Sequence, residues 1–258
     1  MWEEELNVAE SGAREAGRVM MKALGRKHHI MKKGEIDLVT EADLEAEQVI
    51  LEAVHRAYPS DNILSEERGK DKQGSSRTWL VDPLDGTTNF AHGFPFFAAS
   101  VALELEGRVV LGVVHNPFLN ETFTASEGQG AFLDGTPMRT SRTASLNESL
   151  LATGFPYDVH ERHKEVLRLF EAMLVRAQGV RRPGAATLDL CYVASGRFDG
   201  FWEEGLKPWD TAAGAVIVQE AGGRVSRFSG KPYSPYESTI LAANPAIYED
   251  MRRILSGG

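Results

Sequence analysis

Cysteine is almost missing from these 258 residues: Cys191 stands alone, which excludes an intramolecular disulfide and any cysteine-built zinc site. Its expected role is that of a buried, inert thiol. Basic residues are also in deficit, with 28 Lys and Arg against 37 Asp and Glu. A net charge of −9 disfavours nonspecific attraction to nucleic acid or an anionic membrane. No apolar run reaches the length of a membrane span, and Met1 to Leu24 lack the basic start of a secretory signal, so the expected location is the cytoplasm. Repeats, low-complexity tracts and proline-rich linkers are absent. So are the GxxxxGK[ST] phosphate loop and the GxSxG elbow of serine hydrolases, and Gly128-Gln129-Gly130 lacks the third glycine of a dinucleotide fingerprint. The seven histidines include His28-His29 and His160/His163, with neither HExxH nor companion cysteines. ATP, NAD, zinc and acyl-serine chemistry therefore have no starting point.

What is present is a 42% hydrophobic composition, ample for a core without staples. Val8, Ala9, Ala13, Ala16, Val19, Met20 and Ala23 recur at helical spacing. Ala42, Ala46, Val49, Ile50, Ala53, Val54 and Ala57 do the same after a possible Thr40 cap. Strand-like runs follow at Asn62 to Ser65, Thr78 to Val81, Phe96 to Leu105 and Arg108 to His115, the last two joined across Glu106-Gly107 as an antiparallel hairpin. Further strands are expected at Glu121 to Ala125 and Ala131 to Leu133, before the turn signal Asp134-Gly135. The second half reads as helices from Arg162 to Ala177, Ala185 to Ser195, Thr211 to Ala221 and Pro245 to Leu255. They alternate with strands at Phe198 to Trp202, Arg224 to Phe228 and Thr239 to Ala242. The expected fold is α/β, layers of helix and mixed sheet in two closely packed lobes, 1–150 and 151–258.

The chemistry sits in the acids. Val81-Asp82-Pro83-Leu84-Asp85-Gly86-Thr87-Thr88-Asn89-Phe90 follows the apolar Trp79-Leu80, and Pro83, having no N–H, is expected to end that strand before Asp82. In a tight turn completed by Gly86, Asp82 and Asp85 converge, and two converging anions need a cation. Mg²⁺ suits them, because it prefers hard oxygen ligands and keeps room for water and substrate phosphate. The Leu84 carbonyl is a further oxygen donor. Ser65-Glu66-Glu67 stands after another short apolar run, and Trp209-Asp210 opens a small-residue helix. Each piece has a plainer reading: a polar β-turn, an exposed acidic pair and a helix N-cap. Their conjunction is what argues for a site.

Glu66-Glu67, Asp82-Pro83-Leu84-Asp85-Gly86-Thr87-Thr88-Asn89-Phe90 and Pro208-Trp209-Asp210-Thr211-Ala212-Ala213-Gly214 with Glu220-Ala221-Gly222-Gly223 resemble the inositol monophosphatase family of Mg²⁺-dependent, lithium-sensitive phosphatases. Asp37-Leu38-Val39-Thr40 with Asp43, and Gly184-Ala185-Ala186 with Leu188-Asp189-Leu190, extend the likeness over nearly the whole chain. The resemblance implies an αβαβα sandwich, usually dimeric, and a phosphatase acting on inositol 1-phosphate. Fructose 1,6-bisphosphate is the alternative substrate, and a regulatory binding protein with vestigial activity the alternative role. It implies that Glu66, Asp82 and the Leu84 carbonyl hold one Mg²⁺ and that Asp82, Asp85 and Asp210 hold a second. A third, weaker ion near Glu66 and substitution by Mn²⁺ belong to the same expectation, and Lys32 stands where members carry a lysine on a metal-site loop. Catalysis would fall to Glu66 and to Thr87 oriented by Asp43, with water attacking in line and no phosphoenzyme. Substrate contacts would come from Glu66, Leu84, Asp85, Gly86 and Thr87 on the phosphate side, and from Gly184, Ala185, Ala186, Glu203 and Asp210 on the cyclitol or sugar side. Arg181 or Arg182 pairs with Glu203 or substrate, or serves a subunit interface. The implied partner is a small phosphorylated cyclitol or sugar, with no nucleic acid or membrane required.

Overall fold

The computed structural model describes residues 2–25, 31–32, 38–39 and 41–257, with backbone alone for 31–32 and 38–39. Thr40, Asp37 and the Lys32 side chain lie outside them. The elements are, in order, α1 (Glu3–Ala23), β1 (Met31–Lys32), β2 (Leu38–Val39), α2 (Glu41–Ala57), β3 (Asn62–Ser65), β4 (Gly69–Asp71), β5 (Arg77–Asp85), α3 (Thr87–Ala91), β6 (Ala98–Leu105), β7 (Arg108–Asn116), β8 (Glu121–Ser126), β9 (Gly130–Leu133) and β10 (Thr136–Met138). There follow β11 (Leu150–Thr153), α4 (Val159–Leu174), β12 (Gly179–Arg181), α5 (Ala186–Ala194), β13 (Gly200–Glu204), α6 (Pro208–Glu220), β14 (Arg224–Ser226), β15 (Thr239–Ala243) and α7 (Tyr248–Leu255).

Eight strands form one sheet in the order β10-β9-β8-β7-β6-β5-β3-β4, and five form another in the order β12-β11-β13-β15-β14. The helices sort into three layers around them. α1 and α2 cover the outer face of the large sheet, α5 and α6 fill the space between the sheets, and α4 and α7 cover the far face of the small one. This is the αβαβα sandwich. Each layer shows in the side chains: α1 packs through its small residues, Gly12 lying 3.5 Å from the Ile50 Cα at the position its Cβ would take. α6 is buried from Thr211 to Val218 because a sheet stands on either side of it. Gly112 of β7 is a close approach of the same kind, where any Cβ would lie 2.6 Å from the Ala213 carbonyl of α6. β6 and β7, covered on both faces, are accordingly near-continuous apolar runs joined by a two-residue turn with positive φ at Glu106 and Gly107.

Expectations of detail are corrected at β5 and α6. β5 does not stop before Asp82: it runs on to Asp85, and its pairing with β6 jumps from Asp82↔Ser100 to Asp85↔Ala98. The irregularity falls at Pro83, so the missing N–H costs no ladder bond and the strand survives the proline. α6 begins at Pro208 rather than Thr211, with proline in the first turn, where it forfeits nothing.

Candidate active site

Pairing geometry brings the acids together. β3 runs parallel to β5 with Ser65 opposite Val81, so Glu66, leaving β3, stands beside Asp82, and the Glu66 N–H donates to the Val81 carbonyl at 3.2 Å. β13 runs parallel to β11 with Trp202 opposite Thr153, which sets Glu203 beside Gly154. A Cβ at Gly154 would lie 2.1 Å from Glu203 Oε2, so the glycine is what admits the carboxyl. Asp210, in the first turn of α6, comes from the central layer. These elements enclose a cleft of about 290 Å³ lined by Glu66, Asp82, Leu84, Asp85, Gly86, Thr87, Gly184, Ala185, Ala186, Glu203 and Asp210, together with Arg182 and the apolar Phe155, Pro156, Tyr157 and Leu206.

Asp82, Asp85, Asp210 and Asp43 are each held by hydrogen bonds. Asp82 Oδ1 accepts the Leu84 N–H at 3.0 Å, which folds the chain through Pro83 into a tight loop. Asp85 Oδ2 accepts both the backbone N–H and the hydroxyl of Thr187, at 2.7 and 2.5 Å, and Asp210 Oδ2 accepts the Lys207 N–H at 2.7 Å. Asp43, fully buried on α2, accepts the Thr87 hydroxyl at 3.1 Å, and the Leu84 carbonyl stands 3.0 Å from the same hydroxyl. Gly86 joins β5 to α3 at φ +89°, where a Cβ would press to 2.9 Å on the Phe96 carbonyl.

Burial is the first cause of every shift in this cleft. It lifts Asp82 well above the usual carboxylate range, and the charges of Glu66, Asp85 and Asp210 lift it further. Asp210 is raised by burial against the restraint of the Lys207 N–H, with Asp85, Glu66 and Glu203 adding to the rise. Burial pushes Asp85 up to about 6 although the Thr187 hydroxyl and the amides of Thr187, Ala186 and Gly86 favour its charge. Burial takes Glu203 to about 8, with Arg182 pulling down and Asp85 pushing up. The acids thus act on one another as a group. Among the described residues no three His, Cys, Asp or Glu side chains already enclose a metal position.

Of the two arginines, Arg182 reaches the cleft and Arg181 does not. Arg182 carries its guanidinium 5.5 Å from the Phe155 ring, whereas the exposed Arg181 donates to the Val180 carbonyl on the edge strand β12. Sequence reasoning missed Thr187 and the role of Asn89. The Asn89 amide donates to the Phe96 carbonyl at 2.7 Å and the Pro183 carbonyl at 2.9 Å, tying α3 to the loop that carries Gly184. No local signal marks a partner 102 or 94 residues away.

A five-layer sandwich gathers acids from the ends of parallel strands and the first turn of an inner helix into one cleft, and comparison with known proteins gives its class. The inositol monophosphatase family model matches residues 1–256, so the chain belongs to that family and is a phosphatase. The chain is 44% identical to the Nus factor SuhB of Pseudomonas aeruginosa over 251 residues, 95% of this chain and 93% of that one. It is 44% identical to the inositol-1-monophosphatase of Synechocystis over 253 residues, 97% and 88% of the two chains. Its fold matches the crystal structure of the extragenic suppressor protein suhB from Bartonella henselae with a TM-score of 0.95, at 40% identity over 99% of each chain.

Proposed function

We propose that this phosphatase hydrolyses phosphate monoesters of small cyclitols or sugars, inositol 1-phosphate foremost, in a Mg²⁺-dependent reaction without a phosphoenzyme. The observation that carries the reading is the convergence of Glu66, Asp82, Asp85 and Asp210, from three separate parts of the chain, on one cleft where their charges raise one another. Four hard oxygen donors in a mutually repelling set, Asp82 buried and the other three half-buried, fit divalent cations. Glu66, Asp82 and the Leu84 carbonyl would hold one, and Asp82, Asp85 and Asp210 another. Mn²⁺ would substitute, and a third, weaker ion would sit near Glu66. When bound, the ions supply charge neutralisation for the phosphate and its leaving oxygen and acidify water.

The chain's own groups do the positioning. The Thr87 hydroxyl has one proton, and giving it to Asp43 leaves its lone pairs to accept from a water and aim that water's oxygen along the line of attack. The amides and hydroxyl around Asp85 keep that carboxyl ionised in spite of burial. On the cyclitol side, Glu203, lifted by burial to about 8 in the metal-free cleft, would accept hydrogen bonds from ring hydroxyls, with Arg182 beside it. We assign the arginine role to Arg182 and leave Arg181 to a subunit interface of a homodimer. Lithium sensitivity follows from the same reading.

The test is a parallel assay of inositol 1-phosphate, fructose 1,6-bisphosphate, NADP and 3′-phosphoadenosine 5′-phosphate with Mg²⁺ and with EDTA. Inositol 1-phosphate is expected to give the highest kcat/KM, lost in EDTA. A higher value for fructose 1,6-bisphosphate moves the assignment to the sugar phosphatase. The name Nus factor carried by relatives such as that of P. aeruginosa favours a second reading, a regulatory binding protein. Negligible turnover on all four substrates with a stoichiometric macromolecular partner recovered from cells would establish it.

A further inference from the structure

We propose that Glu47 is a positioning residue for the metal-binding turn at Glu66, and that α2 is a single bar aligning this turn with the Asp43–Thr87 pair. The proposal rests on the reading of Glu66 as a metal ligand. Glu47 and Asp43 are four residues apart and therefore share one face of α2, and both are fully buried. Asp43 takes the Thr87 hydroxyl. One turn further on, Glu47 Oε1 accepts the backbone N–H groups of Glu67 at 3.1 Å and Arg68 at 3.2 Å. Glu47 Oε2 lies 3.1 Å from Arg68 Nε, an ion pair not aligned as a hydrogen bond. Arg68 also binds the Gln48 side chain of the same helix.

Glu66 is thereby fixed from two sides. Its own N–H is anchored on the Val81 carbonyl of β5, and the next two amides are anchored on α2. What the arrangement adds is a rigid link: the helix that holds the Thr87 hydroxyl also holds the backbone carrying a metal-binding carboxylate. Groups that orient ligands in this way typically change metal affinity or activity by about 10–100-fold when removed.

The experiment is calorimetric titration of Mn²⁺ into metal-stripped protein, with urea unfolding of the metal-free form alongside. Glu47→Ala is expected to weaken Mn²⁺ binding by about 10–100-fold. Glu47→Gln, which keeps Oε1 as an acceptor for both amides, is expected to bind within about threefold of the native protein, and Arg68→Ala likewise. Should Glu47→Ala fail to fold, Glu47→Asp, which withdraws the acceptor by one methylene, is expected to show the same loss. Affinity unchanged in Glu47→Ala or Glu47→Asp, with only the unfolding midpoint lowered, overturns the positioning role. Asp82→Asn separates the two ideas: if it binds Mn²⁺ as the native protein does, the reading of the cleft fails, whatever Glu47 does.

Discussion

Replacing Glu203 by Gln should stabilise the metal-free protein, and by an amount that depends on pH. Glu203 is 8% exposed, and its carboxyl is lifted from 4.5 to about 8, burial being the leading cause. The folded state therefore holds this proton more tightly than the unfolded chain does. Glu203's contribution to stability is full below about pH 4.5 and is lost as the pH rises through about 8, because between those values the unfolded chain ionises first. A gap of about 3.5 pH units at ~1.4 kcal/mol each sets an upper bound of ~5 kcal/mol, of which ~4 kcal/mol lies between about pH 5 and 9. Gln keeps the shape and removes the charge. Urea unfolding in EDTA should show Glu203→Gln gaining several kcal/mol over the native protein on going from about pH 5 to 9, relative to its effect at the lower pH. A stability difference that stays constant across that range would refute the claim that burial governs this group.

Three further substitutions probe neighbouring parts of the cleft. Thr187→Val removes the 2.5 Å hydroxyl bond to Asp85 while leaving the 2.7 Å amide, a loss of ~1.5–3 kcal/mol for a charge-assisted bond. The midpoint of the pH dependence of Mn²⁺ affinity should then rise by about 1–2 units, and an unmoved midpoint would exclude the role given to Thr187. Thr87→Ala should retain Mn²⁺ affinity in calorimetry while kcat drops by about 10²-fold, as expected when an oriented water is lost. A parallel fall in binding would make Thr87 structural. Gly154→Ala places a methyl where Glu203 Oε2 now lies 2.1 Å away, so the carboxyl must move. KM for inositol 1-phosphate should rise about tenfold while circular dichroism stays native, at an overpacking cost of ~1–3 kcal/mol in stability.

Much of this architecture was legible because it is written in local patterns. The hairpin across Glu106-Gly107 has alternating or continuous apolar runs on either side of a turn dipeptide, and β6 and β7 follow it closely. The helices of α1 and α2 declared themselves by spacing. Two short strands did not: β11 and β12, of four and three residues, carry too few positions to set a period, and β12 is an edge, whereas the equally short β3 falls where its apolar run was expected. Strand β13 was expected from Phe198 to Trp202 but spans Gly200–Glu204, which is why Glu203 belongs to a strand end beside Gly154 rather than to a loop. α4 likewise begins at Val159 instead of Arg162 and stops at Leu174, short of Ala177. The motif acids stood out by their company, whereas Thr187, Asn89, Gly154 and Glu47 matter through partners distant in the chain. Their chemistry is ordinary until the layers assemble.

The most direct measurement is a calorimetric titration of Mn²⁺ into metal-stripped native protein and into Asp85→Asn, with Mg²⁺-dependent phosphatase activity followed on the same samples. The native protein should bind at least two ions, and Asp85→Asn should lose one of them and several orders of magnitude of turnover with its circular dichroism intact. Near-normal turnover in the Asp85→Asn protein, or no uptake by the native one, would contradict a cleft built to gather divalent cations.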